Sequence, residues 1–352
     1  MGERQQIFSG VEPLRERHRF EPRRLEDWMR ANVDGFRGPL DVAQFKGGQS
    51  NPTYKVEAGG ASYVVRRKPP GQLLPSAHAV DREYRVLTAL QGTDVPVPRT
   101  YALCTDDSVL GTWFYVMECV EGRVLWEPHL PDLSKAERFA IYDSLCDVLA
   151  RLHSLDYKKL GLGDYGRPGN YFARQISRWS KQYYASTEQP LREMDALNDW
   201  LPRTIPPGDD TSIIHGDFKL DNTIVHPTEP RIVAVLDWEI STLGHPLGDF
   251  TYLCMPWYGM GAFRGLDVAE LGLPSRKEYT ASYCRRTGRA PVSADSLAWY
   301  ESFHGFRNAC ILQGILGRVR DGTAASEHAT ELAEGVAPLA KAAWEVAKSL
   351  GA

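Results

Sequence analysis

The sequence predicts an α+β chain of two lobes, a small amino-terminal lobe built on an antiparallel sheet and a larger helical lobe behind it. Three observations predict this. Period-two segments cluster before residue 120, long period-3.6 segments dominate after it, and an island of β pattern over 212–237 interrupts the helices. With 352 residues, 43% of them hydrophobic and 24% charged, the chain is long and apolar enough to build a core in each lobe, which excludes a disordered or fibrous protein. No repeat period appears, so one fold accounts for the whole chain.

A short helix is expected over 24–33. Strands follow over 40–45, 53–57 and 61–66, separated by the loop Lys46-Gly-Gly-Gln-Ser-Asn-Pro52 and the tight turn Ala58-Gly59-Gly60. Residues 79–90 place Val80, Tyr84, Leu87 and Leu90 on one helical face, and after Pro96 and Pro98 two more strands read over 99–104 and 112–120. The expected lobe is a five-stranded sheet with one helix. Beyond Gly122 the pattern turns helical. Ser134 to Glu137 is a capping-box sequence ahead of Phe139, Tyr142, Leu145, Leu149 and Leu152, which recur at helical spacing. Ser275 to Glu278 repeats that start signal, and two long helices read over 294–319 and 326–349. The lobes are therefore drawn as 1–120 and 121–352.

Forty-one basic against forty-five acidic residues give a net charge of −4, so no basic field suited to nucleic acid or anionic membranes is expected. The six cysteines have neither a zinc nor a disulfide spacing. The charged amino terminus lacks the apolar stretch of a secretion signal, and no apolar run is long enough to cross a bilayer; a cytoplasmic location is the expectation.

The strongest chemical signal lies in the β island. His215-Gly216-Asp217-Phe-Lys219-Leu-Asp221-Asn222 has the spacing H-x-D-x-x-x-x-N of a phosphotransferase catalytic loop, and Asp237 follows after a short hairpin. Moving a γ-phosphoryl group is mainly positioning and charge neutralisation, which calls for Mg²⁺ on hard oxygen ligands; Asn222 and Asp237 are the expected ligands. Asp217 is expected to orient the acceptor hydroxyl and take its proton, Lys219 to neutralise charge on the transferred group, and His215 to hold the loop rather than bind metal.

The small lobe supplies the nucleotide side. Gly47, Gly48, Gln49, Ser50 and Asn51 lie between the first two strands, where small residues let backbone amides approach phosphate. The third strand is expected to offer a cation and the next helix an acid to fix it, the roles of Arg66 and Glu83, with Lys68 the alternative on the same strand face. Adenine is expected against the backbone around Glu118 and Val120, where the sheet ends.

These residues resemble the aminoglycoside phosphotransferase family, a branch of the protein-kinase-like fold. The resemblance runs from about Leu25 to the carboxy-terminal helices. In GGQSNPTY, VVRRKPPG, LLPSAHAVDREY, HGDFKLDN, VLDWEISTLGHPLGD and FHGFRNACILQG the chain is most similar to the kinase-like domain associated with acyl-CoA dehydrogenase family members ten and eleven. The resemblance implies ATP and Mg²⁺ as cofactors, Asp217 as the base, Asn222 and Asp237 as metal ligands, and Asp249 as a structural acid tying down the catalytic loop. It also implies phosphorylation of the hydroxyl of a 4-hydroxyacyl-CoA, entry of the product into β-oxidation, and a stand-alone kinase acting beside a separate acyl-CoA dehydrogenase.

The residues themselves say less about the acceptor. Residues 261–330 hold nine basic against seven acidic side chains, which leans toward an anionic substrate over a polycationic aminoglycoside. Arg285, Arg286 and Arg289 are either contacts for CoA phosphates or a solvated helix end, and Trp257, Tyr258, Trp299, Tyr300, Phe303 and Phe306 either line an acyl pocket or fill a core. A protein kinase would need a longer segment after Asp237, and an inactive scaffold would show a broken motif, so a small-molecule hydroxyl is expected, with an aminoglycoside or macrolide kinase as the alternative.

Overall fold

The computed structural model describes residues 3–47, 51–70, 78–320 and 334–352. The chain forms two compact units, one of Met1–Arg151 with Asp156–Asp164 and His215–Ser241, the other of Leu152–Leu155, Tyr165–Ile214 and Thr242–Ala352.

The first unit opens with α1 (Glu3–Phe8), β1 (Val11–Glu12) and α2 (Pro22–Asn32), followed by β2 (Leu40–Phe45), β3 (Thr53–Ala58) and β4 (Ala61–Arg67). Next come α3 (Val80–Leu90), β5 (Thr100–Cys104), the single turn α4 (Asp107–Leu110) and β6 (Phe114–Glu118). The sheet has six strands in the order β1-β2-β3-β4-β6-β5, one more than its periodicity predicts. The extra strand is two residues long and exists only through pairing with Phe45 and Gln44. The β3–β4 turn uses Gly59 and Gly60, both at positive φ, and a side chain on Gly59 would strike the Arg37 carbonyl.

Alternation decides what each sheet face meets. Tyr54, Val56, Val65, Phe114 and Val116 join Leu25 and Met29 of α2 in one apolar cluster. The register pairs Thr53 with Arg66 and Arg66 with Tyr115, so these three form one cross-strand row on the opposite face. Helix α3 buries Val80, Glu83, Val86, Leu87 and Leu90, which puts one carboxylate in the middle of an apolar stripe.

Helix α5 (Lys135–Ser154), all but its last turn in the first unit, carries the Ser134–Glu137 cap, with the Ser134 N–H donating to Glu137 Oε2 (2.9 Å) and the Glu137 N–H to Ser134 Oγ (3.3 Å). Tyr142, Leu145, Leu149 and Leu152 are buried as their spacing predicts, whereas Phe139 is half exposed.

The first unit also holds the hairpin β8 (Thr223–Val225) and β9 (Ile232–Val235), while in the second unit β7 (Ser212–Ile214) pairs antiparallel with β10 (Thr242–Gly244). The β island is thus two separate two-stranded ribbons. The second unit's helices are α6 (Tyr171–Ser186), α7 (Arg192–Trp200), α8 (Pro246–Leu253), α9 (Arg276–Thr287), α10 (Ala294–Arg320) and α11 (Val336–Ser349). Its core joins Phe172, Leu197, Trp200, Phe303, Phe306 and Ala340. Gly305 brings α10 against Ala343 of α11, where Ser302 Oγ donates to the Ala343 carbonyl (2.9 Å). Ser275 and Glu278 complete a reciprocal capping box at the start of α9.

Candidate active site

The cross-strand row and the buried acid of α3 meet in one ion-pair network. Arg66 Nε lies 2.7 Å from Glu83 Oε2, Nη2 lies 2.5 Å from Asp237 Oδ1 and 3.7 Å from Glu239 Oε2, and Nη1 donates to Thr53 Oγ1 (3.3 Å). The Arg66 and Glu83 side chains are 8% and 1% exposed, so neither charge is shared with bulk water. Glu83 is further held by the Tyr115 hydroxyl, which donates to Oε2 (3.2 Å), and by Asn51 Nδ2, which donates to Oε1 (3.0 Å). Asn51 Nδ2 also reaches Glu239 Oε2 (3.2 Å). Its Oδ1 is therefore the acceptor for His78 Nδ1 (3.0 Å), which must carry the proton. Lys68 instead sits 3.6 Å from Asp81 and over the Trp113 ring.

Burial pushes the Glu83 carboxyl up, to about 7, against the pull of Arg66 and with the added repulsion of Asp237 and Glu239. Burial alone would lower Arg66, but Glu83 and Asp237 more than offset it and hold the guanidinium above its ordinary value. An acid raised in the folded state binds more protons folded than unfolded, so its contribution to stability falls as pH rises from about 4.5 to about 7 and is level above that. The stability advantage of the wild type over Glu83→Gln is therefore expected to shrink between pH 5 and pH 7.5 in urea unfolding. A pH-independent difference would contradict the placement of Glu83.

The catalytic-loop residues converge through backbone geometry. Gly216 has φ +86, and a Cβ there would press on the Ile240 carbonyl at 3.0 Å. Asp237 takes a left-handed φ of +64, a conformation short polar residues tolerate best. The buried His215 ring donates from Nε2 to the Leu236 carbonyl (2.8 Å) and accepts the Asp217 N–H on Nδ1 (3.3 Å), which fixes one tautomer and ties the loop to the strand leading into Asp237. It lies 4.8 Å from the Trp238 ring. Asn222 Nδ2 donates to the Asp217 carbonyl (2.9 Å) and to Asp217 Oδ2 (2.8 Å), so its amide oxygen faces the other way. Lys219 Nζ stands 3.4 Å from Asp217 Oδ2 and 3.3 Å from Asp221 Oδ2. The hairpin behind them is anchored by the Ile232 N–H on Ser144 Oγ (3.0 Å) and by reciprocal bonds between Arg123 and Val225.

The structure thus brings Arg66, Glu83, Asn51 and Asp237 into one network and Asp217, Lys219 and Asn222 into another, both in the first unit. Gly47 lies two residues past β2 against Trp126, which a Cβ there would meet at 3.1 Å; Gly48, Gln49 and Ser50 lie outside the described residues. Glu118 closes β6 opposite Tyr63, with Val120 two residues beyond. In the second unit Asp249 is buried on α8, 3.5 Å from His153 Nε2. Sequence reasoning missed Glu239, Tyr115, Thr53 and His78. The acid two residues past Asp237 was a readable signal, whereas the other three follow only from sheet register and the start of α3.

Two sequence readings narrow. Trp299, Tyr300, Phe303 and Phe306 belong to the core of the second unit, and Arg289 is paired with Asp210. Among the described residues no helix is long and apolar enough to cross a membrane.

A six-stranded antiparallel sheet packed by α2 and α3, a helix-rich remainder and an intervening loop-and-hairpin define a protein-kinase-like α+β fold. The chain belongs to the phosphotransferase enzyme family, whose model matches residues 41–280. It is 42% identical over 341 residues to acyl-CoA dehydrogenase family member 11 of Rattus norvegicus, an alignment covering 94% of this chain and 44% of that one. It is 42% identical over 320 residues to family member 10 of Mus musculus, covering 89% and 30%. The chain thus spans less than half the length of these relatives. A crystal structure from Ralstonia eutropha, described as a candidate aminoglycoside phosphotransferase, is 54% identical, with a TM-score of 0.85 and coverage of 94% and 99%. An aminoglycoside phosphotransferase solved with ADP and hygromycin B shares the fold at 16% identity, with a TM-score of 0.59 and coverage of 92% and 98%.

Proposed function

We propose that the chain transfers the γ-phosphoryl group of MgATP to the hydroxyl of a hydroxyacyl-CoA, with 4-hydroxyacyl-CoAs as the acceptor class, in the cytoplasm and beside an acyl-CoA dehydrogenase that uses the product. The observation that carries the acceptor is the extent of the likeness to acyl-CoA dehydrogenase family members, 94% of this chain in the first case.

The donor set fits a divalent cation. Glu83, Asp237 and Glu239 surround the single guanidinium of Arg66, leaving surplus negative charge, and the Asn222 amide oxygen and Asp237 carboxylate are hard ligands. Among the described residues no group of three His, Cys, Asp or Glu could hold a metal by itself, which suits Mg²⁺, an ion bound through one or two protein oxygens together with phosphates and water. Asn222 and Asp237 would hold it, and bound there it would neutralise phosphate charge. Asp217 accepts the hydroxyl proton at its carboxylate as the O–P bond forms, while Asn222 fixes the orientation of that carboxylate. Lys219 offsets charge on the transferred group. Glu83 fixes Arg66 for the α- and β-phosphates, Gly47 to Asn51 cover them, and the backbone at Glu118 and Val120 receives adenine.

ADP release measured with 4-hydroxyacyl-CoAs, 3-hydroxyacyl-CoAs, kanamycin, erythromycin, choline and homoserine tests the reading. Turnover confined to a hydroxyacyl-CoA is the expected result. The description of the Ralstonia relative favours an antibiotic kinase as the second reading. Turnover with kanamycin or erythromycin and none with the CoA esters would replace the first reading by it.

A further inference from the structure

Asn51 closes the segment expected to cover the nucleotide phosphates, yet its side chain is fully buried. Its amide nitrogen donates to two carboxylates, Glu83 Oε1 (3.0 Å) and Glu239 Oε2 (3.2 Å), and its Oδ1 accepts from His78 Nδ1 (3.0 Å). Both N–H bonds of the amide are thereby taken up, and the side chain has none left for a phosphate. The Asn51 backbone carbonyl accepts from Thr53 Oγ1 (3.0 Å), the same hydroxyl oxygen that accepts from Arg66 Nη1 (3.3 Å). Asn51 is thus joined to the Arg66 guanidinium by three routes, through Glu83, Glu239 and Thr53, all within the first unit.

The surrounding charges explain why a neutral donor stands there. Glu83, Asp237 and Glu239 share one guanidinium, and Arg66 Nη2 lies 2.5 Å from Asp237 but 3.7 Å from Glu239. Two carboxylates that approach the same nitrogen repel each other at close range in a site screened little by water. One amide bonding to both offsets that repulsion and adds no charge of its own, whereas an aspartate of the same shape would set a further carboxylate against them. We infer that Asn51 is a positioning residue: by holding Glu83 and Glu239 from a single amide it keeps Glu239 off the guanidinium and so fixes Arg66 and Asp237 for the phosphates and the metal ion of the nucleotide. The inference rests on the nucleotide reading of this site and adds the residue that aligns it.

Calorimetric titration of the full chain with MgADP tests it, using wild type, Asn51→Ala, Asn51→Asp, Glu239→Gln and the double variant Asn51→Asp/Glu239→Gln, each checked for folding by its Tm. A side chain that only fills space is harmed more by Ala, which leaves a void, than by Asp, which keeps the shape. The opposite order is expected here. MgADP affinity should fall about 10-fold in Asn51→Ala and about 100-fold in Asn51→Asp, where a charged acceptor replaces the shared donor. In the double variant the amide introduced at position 239 can donate to the carboxylate introduced at position 51, so most of the Asn51→Asp loss is expected to be recovered. Where Asn51→Asp does not fold, Asn51→Ala and Glu239→Gln, alone and combined, carry the test, with losses that sum to less than additive as the expected result. An Asn51→Asp loss no greater than that of Asn51→Ala, an absence of recovery in the double variant, or additive losses in the second set overturns the positioning role while the nucleotide reading stands. A folded wild type that does not bind MgADP overturns both.

Discussion

Asp217→Asn is expected to lower kcat by roughly 10²- to 10⁴-fold, the usual share of a positioned general base, with ADP affinity unchanged. The substitution preserves shape. An amide oxygen can still accept from Asn222 Nδ2, and Lys219 keeps Asp221 as a partner. What disappears is the group that takes the hydroxyl proton. Steady-state kinetics paired with ADP calorimetry read the two effects separately. A fall in ADP affinity that parallels the fall in kcat would mean that Asp217 holds the loop together and does not act on the acceptor.

Arg66→Met is expected to have the largest effect on folding. It strands Glu83 in a site where its side chain is 1% exposed, and breaking a buried pair from one side costs about 3–5 kcal/mol. Because burial and the neighbouring acids already raise Glu83 to about 7, the stranded group escapes part of the cost by protonating. The loss should therefore be greater at pH 8 than at pH 5. Replacing both partners, Arg66→Met with Glu83→Leu, is expected to recover part of the stability, since neither charge then needs compensation. MgADP affinity should fall in both variants. Urea unfolding at the two pH values measures the first effect; a loss below about 1 kcal/mol at pH 8, the range of exposed pairs, would contradict a desolvated network.

The legible parts of this chain are those where a local rule fixes the outcome. Val80–Leu90 matches its helical spacing within a residue, and both Ser-x-x-Glu sequences form their reciprocal caps, because spacing and capping are settled within a few positions. What sequence missed is settled by distant partners. Val11–Glu12 is a strand only because Phe45 and Gln44 present an edge, and Ser212–Ile214 pairs with Thr242–Gly244 rather than with the nearer hairpin. The helices Tyr171–Ser186 and Arg192–Trp200 escaped notice although each buries an apolar face. The same division holds at the candidate site. The H-x-D-x-x-x-x-N spacing could be read directly, but the inward turn of the Asn51 side chain toward Glu83 and Glu239 depends on register and on the placement of α3, which no local pattern encodes. Phe303 and Phe306 show the converse, since helical spacing marks them as apolar without saying whether they face a core or a ligand.

The central proposal is transfer of a phosphoryl group to an acyl-chain hydroxyl. Tandem mass spectrometry of 4-hydroxyacyl-CoA incubated with MgATP and the wild-type chain, with Asp217→Asn in parallel, tests that most directly. One added phosphoryl group on the acyl hydroxyl is expected with the wild type and none with the variant. An unmodified ester from a chain that binds MgATP, or equal labelling by both proteins, would contradict it.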